Sequence, residues 1–354
     1  MRIIITLSLL AILLLSCNIK DPIPKYQTGT FPETPVNLEN FNSGYDDYNS
    51  TAPTLGGIYA LCFSSNRNTQ GKTYDIIREL LSIEFSKISG VLTVDNTPQS
   101  WWEVSQNFNP LNLALNLVNT PSNEYGPYIK NYWNIYNVNA SDGGSRFLFL
   151  YATDQSGNLD IKFVENFNAP DYENLDFAGP YPVSVVNTSY NEAYPTFNKD
   201  ISELYFTSDR DQSYDIYKVK INLTDDIVNT LYDTIATDTC KKVTELSSVS
   251  DDKCPYIMDD VMVFTSDRAG GFGGFDLWYS TFDGTKWSTP VNFGEKINTP
   301  YDEYRPILIS MPEFTNDFLI FSSNRPGGKG GFDLYYVGVP RIQPVLARSR
   351  STSD

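Results

Sequence analysis

The chain has 354 residues, of which 43 are acidic, 26 are basic and none is histidine. The formal net charge of −17 and the lack of any long basic stretch argue against nucleic acid as a partner, because phosphate binding needs clustered Lys and Arg. The lack of histidine excludes His-based catalytic triads and His-ligated zinc or haem. A glycosidase needs only two carboxylates and is not excluded.

The chain begins with a segment typical of an export signal. A positive Arg2 precedes an almost unbroken apolar run over residues 3–15, which suits a signal-peptide core and is shorter than the ~20 residues of a membrane span. Leu14-Leu15-Ser16-Cys17 resembles the lipobox of bacterial lipoproteins. This resemblance implies that residues 1–16 are a lipoprotein signal peptide and that Cys17 carries lipid, which anchors the protein to a membrane without spanning it. The alternative is a plain secretory signal with an incidental cysteine.

A tether and a tail flank the main domain in this interpretation. Residues 17–34 hold three prolines and little apolar periodicity, so we expect a flexible linker between the lipidated Cys17 and the domain. Asn18 stands where an Asp would suggest retention at the inner membrane in some diderm bacteria, and this favours the outer membrane, on its periplasmic or its outward face. Residues 35–340 are predicted to form the folded domain and residues 341–354 a C-terminal tail.

The folded part repeats one strand–loop–strand pattern. In its clearest copy, a β-branched and aromatic strand leads through Ser266-Asp267-Arg268 and a Gly-rich turn to Phe275-Asp276-Leu277-Trp278. This pattern fits two neighbouring antiparallel strands. Chance would not place it five times in phase. The five strand–loop segments lie at residues 62–67, 150–155, 205–210, 263–268 and 320–325.

A second motif precedes each copy of the first. It is clearest in Asn298-Thr299-Pro300-Tyr301-Asp302-Glu303-Tyr304-Arg305-Pro306. Repeats of roughly 50 to 75 residues, each a small antiparallel sheet, predict an array or a propeller, because one such sheet cannot bury both faces and neighbours must stack. The other copies lie at residues 42–50, 119–127, 187–195 and 247–255.

The two ends of the domain predict how the ring closes. Pro35-Val36-Asn37-Leu38 resembles Pro290-Val291-Asn292-Phe293, the outer-strand segment of the fourth repeat, whereas the fifth repeat ends without an outer strand. We therefore expect residues 35–41 to complete the last blade. Five blades fit the motif count. A degenerate sixth blade within the insertion from Ile77 to about Ser100 is the alternative, and that insertion is otherwise expected to hold a short helix or an extra hairpin.

These motifs resemble the TolB-type propeller repeats, related to WD repeats, of bacterial envelope proteins. The resemblance covers about residues 35–340 and is most specific in repeats four and five, with their Phe-Ser-Ser-Asn-Arg, Gly-Gly, Phe-Asp-Leu-Tyr and Asn-Thr-Pro-Tyr-Asp-Glu sequences. It implies an all-β fold with a single β-propeller. Repeat two departs from the pattern at Gln155, where an arginine is expected.

The parity of the strands places both kinds of loop at the same end of the disc. Their charged residues are therefore expected to ring the mouth of the central channel. Two interpretations stay open: a site for a polar ligand or a cation, or charge-assisted staples that join adjacent loops and recur because each blade needs one. The residues are Asp47, Glu124, Glu192, Asp252, Glu303, Arg67, Arg210, Arg268 and Arg325.

Other candidate sites are few. The Gly-rich segments 270–274 and 327–331 lack the strand-to-helix context of a P-loop and are interpreted as turns. Cys240 and Cys254 are close enough in sequence to form a disulfide in an exported protein. No metal site and no cofactor are predicted.

The resulting hypothesis is a lipid-anchored propeller that binds or scaffolds an unidentified envelope protein or glycan, without catalysis. A rigid ring that presents loops suits recognition. A glycan-binding surface protein is one alternative, and it requires aromatic side chains gathered on one face. A glycoside hydrolase of the five-bladed type is the other. It requires an isolated pair of acids, which the repeated acids do not single out.

Overall fold

The computed structural model describes residues 23–55, 58–96, 110–133, 145–166, 177–224, 226–233 and 239–343. The predicted signal peptide, Cys17 and nearly all of the C-terminal tail lie outside these ranges. Within them the chain forms five antiparallel sheets, which we call blades 1 to 5 in chain order. The high aromatic content, 14% of the residues, agrees with a fold made of strands.

The strands follow one another from the centre of the disc outward. Blade 1 comprises β2 (Asp47–Thr51), β3 (Thr54–Leu55), β4 (Ile58–Ser65), β5 (Asp75–Phe85) and β6 (Leu92–Asn96). Blade 2 comprises β7 (Glu124–Trp133), β8 (Ser145–Thr153), β9 (Asp160–Asn166) and β10 (Phe177–Pro182). Blade 3 comprises β11 (Glu192–Phe197), β12 (Glu203–Ser208), β13 (Asp215–Lys220) and β14 (Lys241–Lys242).

The last two blades repeat the same order. Blade 4 comprises β15 (Asp252–Met258), β16 (Val261–Ser266), β17 (Asp276–Thr281) and β18 (Val291–Asn292). Blade 5 comprises β19 (Glu303–Ile309), β20 (Asp317–Ser323), β21 (Asp333–Val339) and, from the other end of the chain, β1 (Val36–Asn37). The first strands β2, β7, β11, β15 and β19 contact one another in a closed circle. The molecule is therefore a five-bladed β-propeller with these strands around its axis.

The N-terminal strand closes the ring, as the sequence predicted. Val36 pairs with Tyr336 and Asn37 with Tyr335 in antiparallel register, and the Leu38 amide donates to the Leu334 carbonyl at 2.9 Å. The preceding residues are held as well, because the Gly29 amide donates to the Glu313 carbonyl at 2.8 Å, the Gly338 amide donates to the Pro32 carbonyl at 2.7 Å, and Phe31 is buried. The prediction of a flexible linker over residues 17–34 is therefore wrong for residues 29–34. Blade 5 thus joins both ends of the folded domain.

The hydrophobic core lies between the blades in five layers. Alternate residues of a strand face opposite neighbours, and the second strand of blade 3 shows this directly. Leu204 and Phe206 pack towards blade 2, whereas Tyr205 packs towards blade 4. Each sheet is buried on both faces, which explains why its middle strands read as continuous apolar runs.

The insertion that begins at Ile77 forms strands of blade 1. Within the described residues it does not form a sixth blade. β5 and β6 are the long outer hairpin of blade 1, with Phe85 paired to Leu92, so the hairpin alternative is confirmed for residues 77–96. In the part of the chain that the structure describes, two helices cover the outside of the blades, α1 (Pro110–Val118) and α2 (Ile227–Tyr232). No helix within the described ranges is long and apolar enough to cross a membrane.

Candidate functional site

The acid at the start of each inner strand is fully buried. In blade 5, Glu303 accepts hydrogen bonds from the Thr299 amide at 2.8 Å and hydroxyl at 2.6 Å, and from Ser323 Oγ at 3.1 Å. Arg325 Nη2 adds a charged bond at 2.9 Å and also donates to the Ile297 carbonyl at 2.7 Å. Burial raises the pKa of Glu303 while the Thr299 and Arg325 bonds oppose the shift. The carboxylate therefore ties its own motif to the loop of the next hairpin.

Three other blades repeat this arrangement. Asp47 pairs with Arg67 at 2.6 Å and Glu192 with Arg210 at 3.0 Å, and Asp252 pairs with Arg268. In all four blades the arginine is mostly covered, and its guanidinium also lies over the aromatic side chain two residues before the motif serine. These eight predicted residues thus lie in pairs inside the loops, with every carboxylate already engaged.

Blade 2 departs from this arrangement at Gln155, where the sequence also departs from the repeat. Glu124 has Gln155 in place of an arginine, and its Oε1 accepts from Thr120 Oγ1 at 2.6 Å. Its Oε2 has no hydrogen-bond partner among the described residues. Burial raises the pKa of Glu124 to about 7, with smaller contributions from the nearby charges of Asp75 and Asp154, although hydrogen bonding by Thr120 opposes the shift.

The residue before each acid links one blade to the next, a role that sequence reasoning missed. Asp302 Oδ1 accepts from the Phe275 amide at 2.9 Å, and its own amide donates to Asn324 Oδ1 at 2.8 Å. The signal was present, because all five positions carry Asp or Asn. They are Asp46, Asn123, Asn191, Asp251 and Asp302.

Aromatic side chains gather around the mouth of the channel. They come from two positions in each blade, the residue after the buried acid and the residue before the aspartate of the third strand. Tyr48, for example, lies 5.1 Å from Tyr74, 6.2 Å from Tyr125 and 5.6 Å from Phe332 between ring centroids. We call this set the collar. It consists of Tyr48, Tyr74, Tyr125, Tyr214, Phe275, Tyr304 and Phe332, with Lys253 between Tyr214 and Phe275.

The collar is half-buried and incomplete on one side. Each of its side chains keeps part of its surface exposed. Burial raises the pKa of Tyr125 and of Tyr214 to about 12, so the phenols keep their protons at neutral pH and can donate hydrogen bonds. Between blades 2 and 3 the two collar positions carry the aliphatic Leu159 and Ala193, which opens the aromatic surface there.

A layer of left-handed residues lies beneath the collar. Two residues after each acid the strand register shifts and the backbone takes a positive φ, between 46° and 59°. At Gly126 a side chain is excluded, because a Cβ there would lie 2.4 Å from the Tyr194 ring. The five residues are Asn49, Gly126, Tyr194, Cys254 and Arg305.

Arg305 crosses the axis in this layer. It is 0% exposed, and it donates to the Pro255 carbonyl of blade 4 at 2.9 Å and to the Pro127 carbonyl of blade 2 at 3.4 Å. Its guanidinium lies 5.6 Å from the Tyr194 ring centroid. A blade 5 side chain therefore contacts three other blades and fills the channel below the collar.

The predicted disulfide is not formed. Cys240 and Cys254 are both free thiols, because they lie in different parts of the propeller. Cys254 is buried in the layer around the axis, whereas Cys240 donates to the Val185 carbonyl at 3.4 Å at the outside of blade 3. Within the described residues, no three Cys, Asp or Glu side chains form a metal-binding group.

Backbone amides of the Gly-rich segments 270–274 and 327–331 donate hydrogen bonds to Asp276 and Asp333. The Phe272 amide donates to Asp276 Oδ2 at 2.7 Å, and the Gly330 amide donates to Asp333 Oδ1 at 3.0 Å. These amides are satisfied within their own loops, in agreement with the interpretation of both segments as turns.

No protein-family model and no curated protein matches the chain. Solved structures resemble it at low identity. An α-L-arabinofuranosidase from Podospora anserina is 12% identical over 90% of this chain and 98% of its own, with a TM-score of 0.47. An endo-arabinase from Bacteroides thetaiotaomicron is 11% identical over 90% and 99%, with a TM-score of 0.45. A putative TolB from Agrobacterium tumefaciens is 11% identical over 88% and 100%, with a TM-score of 0.39. These similarities are weak. The five-bladed architecture is established by the strand pairing in the five sheets.

Proposed function

We propose that the protein is a non-catalytic binding module that holds a neutral glycan on the collar. The observation that carries this proposal is the gathering of seven half-buried aromatic side chains on one face of a rigid ring. A sugar ring has apolar C–H faces that pack on aromatic rings, and its hydroxyls bond to polar groups at their edges. Tyrosine offers both kinds of contact.

The charge of the molecule favours a neutral glycan over an acidic one. The net charge of −17 repels polyanions at long range. The one cation of the collar, Lys253, is already paired with Asp251 at 2.9 Å. Recognition on the collar therefore depends on stacking and on neutral hydrogen bonds.

The buried carboxylates support a non-catalytic role. Four of the five acids around the axis are bound to arginines, and Arg305 fills the channel beneath the collar. A hydrolase needs two carboxylates on either side of a scissile bond. Apart from Glu124, the acids at the starts of the inner strands hold loops instead.

The envelope location belongs to the same proposal. The lipobox-like sequence ending at Cys17 and the short stretch between it and the first backbone contact at Lys25 suit a propeller that is tethered to the outer membrane by lipid. Lipid analysis of the protein purified from membranes tests this part, with Cys17→Ala as the variant that is expected to lose the modification and the membrane association.

The binding proposal is tested with a panel of neutral polysaccharides immobilised on a surface. We expect at least one to bind, and we expect Tyr214→Ala and Phe332→Ala to weaken that binding at least fivefold. Tyr301→Ala is the matched control, since Tyr301 is 45% exposed in a neighbouring loop outside the collar. Thermal unfolding of each variant separates lost contacts from lost folding. Equal losses in all three variants would contradict the role of the collar.

A glycoside hydrolase is the second candidate, favoured only by Glu124. A carboxyl whose pKa is raised to about 7 suits a general acid at neutral pH. Release of reducing sugar from the same panel, abolished by Glu124→Gln, would support this candidate. Binding without any release of sugar would support the binding module.

A further inference from the structure

We propose that blade 2 carries a binding site for a guanidinium cation, formed by Glu124, Thr153 and the main-chain carbonyl of Val118. This site lies inside the loops of one blade and is separate from the collar. The other blades show what the same groups bind.

Blade 3 shows the complete arrangement. Arg210 Nη2 donates to Glu192 Oε1 at 3.0 Å and to the Val186 carbonyl at 3.0 Å, and Arg210 Nε donates to Ser208 Oγ at 3.0 Å. The guanidinium carbon lies 5.4 Å from the centre of the Phe206 ring. One carboxylate, one hydroxyl, one carbonyl and one aromatic face thus receive a single guanidinium. Blades 1, 4 and 5 hold Arg67, Arg268 and Arg325 in the same way.

Blade 2 keeps the receiving groups and lacks the arginine. Glu124 faces Thr153 in the strand register, as Glu192 faces Ser208 in blade 3. By the same register Tyr151 takes the place of Phe206, and Val118, the residue before the motif asparagine, takes the place of Val186. Glu124 and Thr153 are 0% and 1% exposed. Thr153 Oγ1 and Glu124 Oε2 have no hydrogen-bond partner among the described residues. The oxygen that matches the Arg210-binding atom of Glu192 is Glu124 Oε1, which accepts from Thr120 Oγ1 at 2.6 Å, as Glu192 Oε1 accepts from Thr188 Oγ1 at 2.8 Å in blade 3.

The side chain at the arginine position points elsewhere. Gln155 is exposed, and its Oε1 accepts from Lys162 Nζ at 2.5 Å. Lys162 in turn takes the place of the aromatic Tyr217 of blade 3, since Tyr151 pairs with Lys162 as Phe206 pairs with Tyr217. Two substitutions in one blade therefore leave the receiving groups in place and turn the replacing side chains outward.

The local charge attracts a cation. Asp75 and Asp154 lie close enough to Glu124 to act on it electrostatically, and the C-terminal carbonyls of helix α1, which ends at Val118, add partial negative charge. A guanidinium fits better than a point charge, because its fork of donors bonds to the carboxylate, the hydroxyl and the carbonyl at once. The source is either a small arginine-like molecule or an arginine side chain of a partner.

Isothermal titration calorimetry of the full-length protein with Nα-acetyl-arginine amide at pH 8 tests the proposal. We expect one site per chain. Glu124→Gln is expected to weaken binding at least tenfold. Gln155→Arg is expected to abolish it, because the protein's own arginine then occupies the site while Glu124 and the fold are kept. Arg210→Ala opens the matching site in blade 3 and is expected to raise the stoichiometry from one to two.

Three results would overturn the proposal. The first is equal binding of Nα-acetyl-lysine amide, which would indicate a general attraction for cations. The second is undiminished binding in Gln155→Arg. The third is no binding of Nα-acetyl-arginine amide by the wild-type protein. If the Lys162→Met variant then binds it, Lys162 is the native partner of Glu124, and the proposal is overturned as well. A peptide with a central arginine that binds tighter than the amide would identify a partner's side chain as the source, and equal affinities would identify a small molecule.

Discussion

Single residues at the starts of the inner strands hold the loops of the propeller in place. Each buried carboxylate is costly to place in a protein interior unless hydrogen bonds and an opposite charge compensate it. Glu303 receives both from Thr299, Ser323 and Arg325. The four acids that pair with arginines are therefore structural first, and their burial follows from the completeness of their partners; Glu124 is the exception.

Arg325→Ala tests this role. The substitution leaves Glu303 buried without its cation, and we expect the free energy of unfolding to fall by about 3 kcal/mol. Lys296→Ala is the matched control, because the Lys296–Glu33 pair is 68% and 73% exposed and such surface pairs contribute about 0 to 1 kcal/mol. Urea unfolding followed by fluorescence measures both. Equal effects would contradict the staple role.

Glu124 predicts a specific pH dependence. Its pKa is raised from 4.5 to about 7 in the folded protein, so the folded state binds the proton more tightly than the unfolded chain. Proton binding by Glu124 therefore stabilises the folded protein fully below about pH 4.5, and this stabilisation is lost as the pH rises through about 7. Glu124→Gln is expected to remove this part of the dependence, which is measured as the difference between wild-type and variant melting temperatures from pH 5 to 8. Parallel curves would contradict the shift.

At the scale of elements, the N-terminal strand completes a blade that the end of the chain leaves unfinished. β1 contributes only two residues, yet its neighbours extend the contact through Phe31, Leu38 and Phe41, all in the core layer between blades 5 and 1. An edge strand that would otherwise be exposed on β21 is thereby paired.

Leu38→Pro tests the closure. It removes the amide that donates to the Leu334 carbonyl at 2.9 Å. Phe293→Pro removes the corresponding bond to the Leu277 carbonyl in blade 4 at 3.1 Å, where no chain ends meet. We expect Leu38→Pro to lower the melting temperature more and to speed hydrogen exchange in both blade 5 and blade 1. Equal losses would indicate that β1 is an ordinary outer strand.

The sequence predicted the repeated elements well and the irregular ones poorly. Five copies of two motifs fix the blade number, and the likeness of residues 35–38 to residues 290–293 fixes the closure. The insertion from Ile77 left a helix and a hairpin open, and it forms strands because β5 pairs with β4 up to Leu81 and with β6 from Leu81 to Phe85. Periodicity within the segment carries no information about those partners.

The collar escaped prediction for a related reason. Its positions carry Tyr, Phe, Lys, Leu or Ala, so no constant residue marks them. Tyr48 and Phe332 are far apart in the chain and meet only when the ring closes, at a centroid distance of 5.6 Å. The buried acids were found because they repeat. The paired arginines were found for the same reason, and so was their loss at Gln155.

At the scale of the whole molecule, the five blades form a rigid disc with distinct levels around its axis. The collar lies at the mouth, the left-handed residues lie beneath it, and Arg305 links blades 2, 4 and 5 across the axis. The axis is thus filled by side chains, which leaves the collar as the surface available to a ligand at that end. The proposed binding of a glycan depends on this surface.

The crystal structure of the protein with a bound neutral oligosaccharide tests that account most directly. We predict a sugar ring in van der Waals contact, at about 4 Å, with the rings of Tyr48, Tyr125 or Tyr304. An oligosaccharide bound to the outer strands, with the collar untouched, would contradict it.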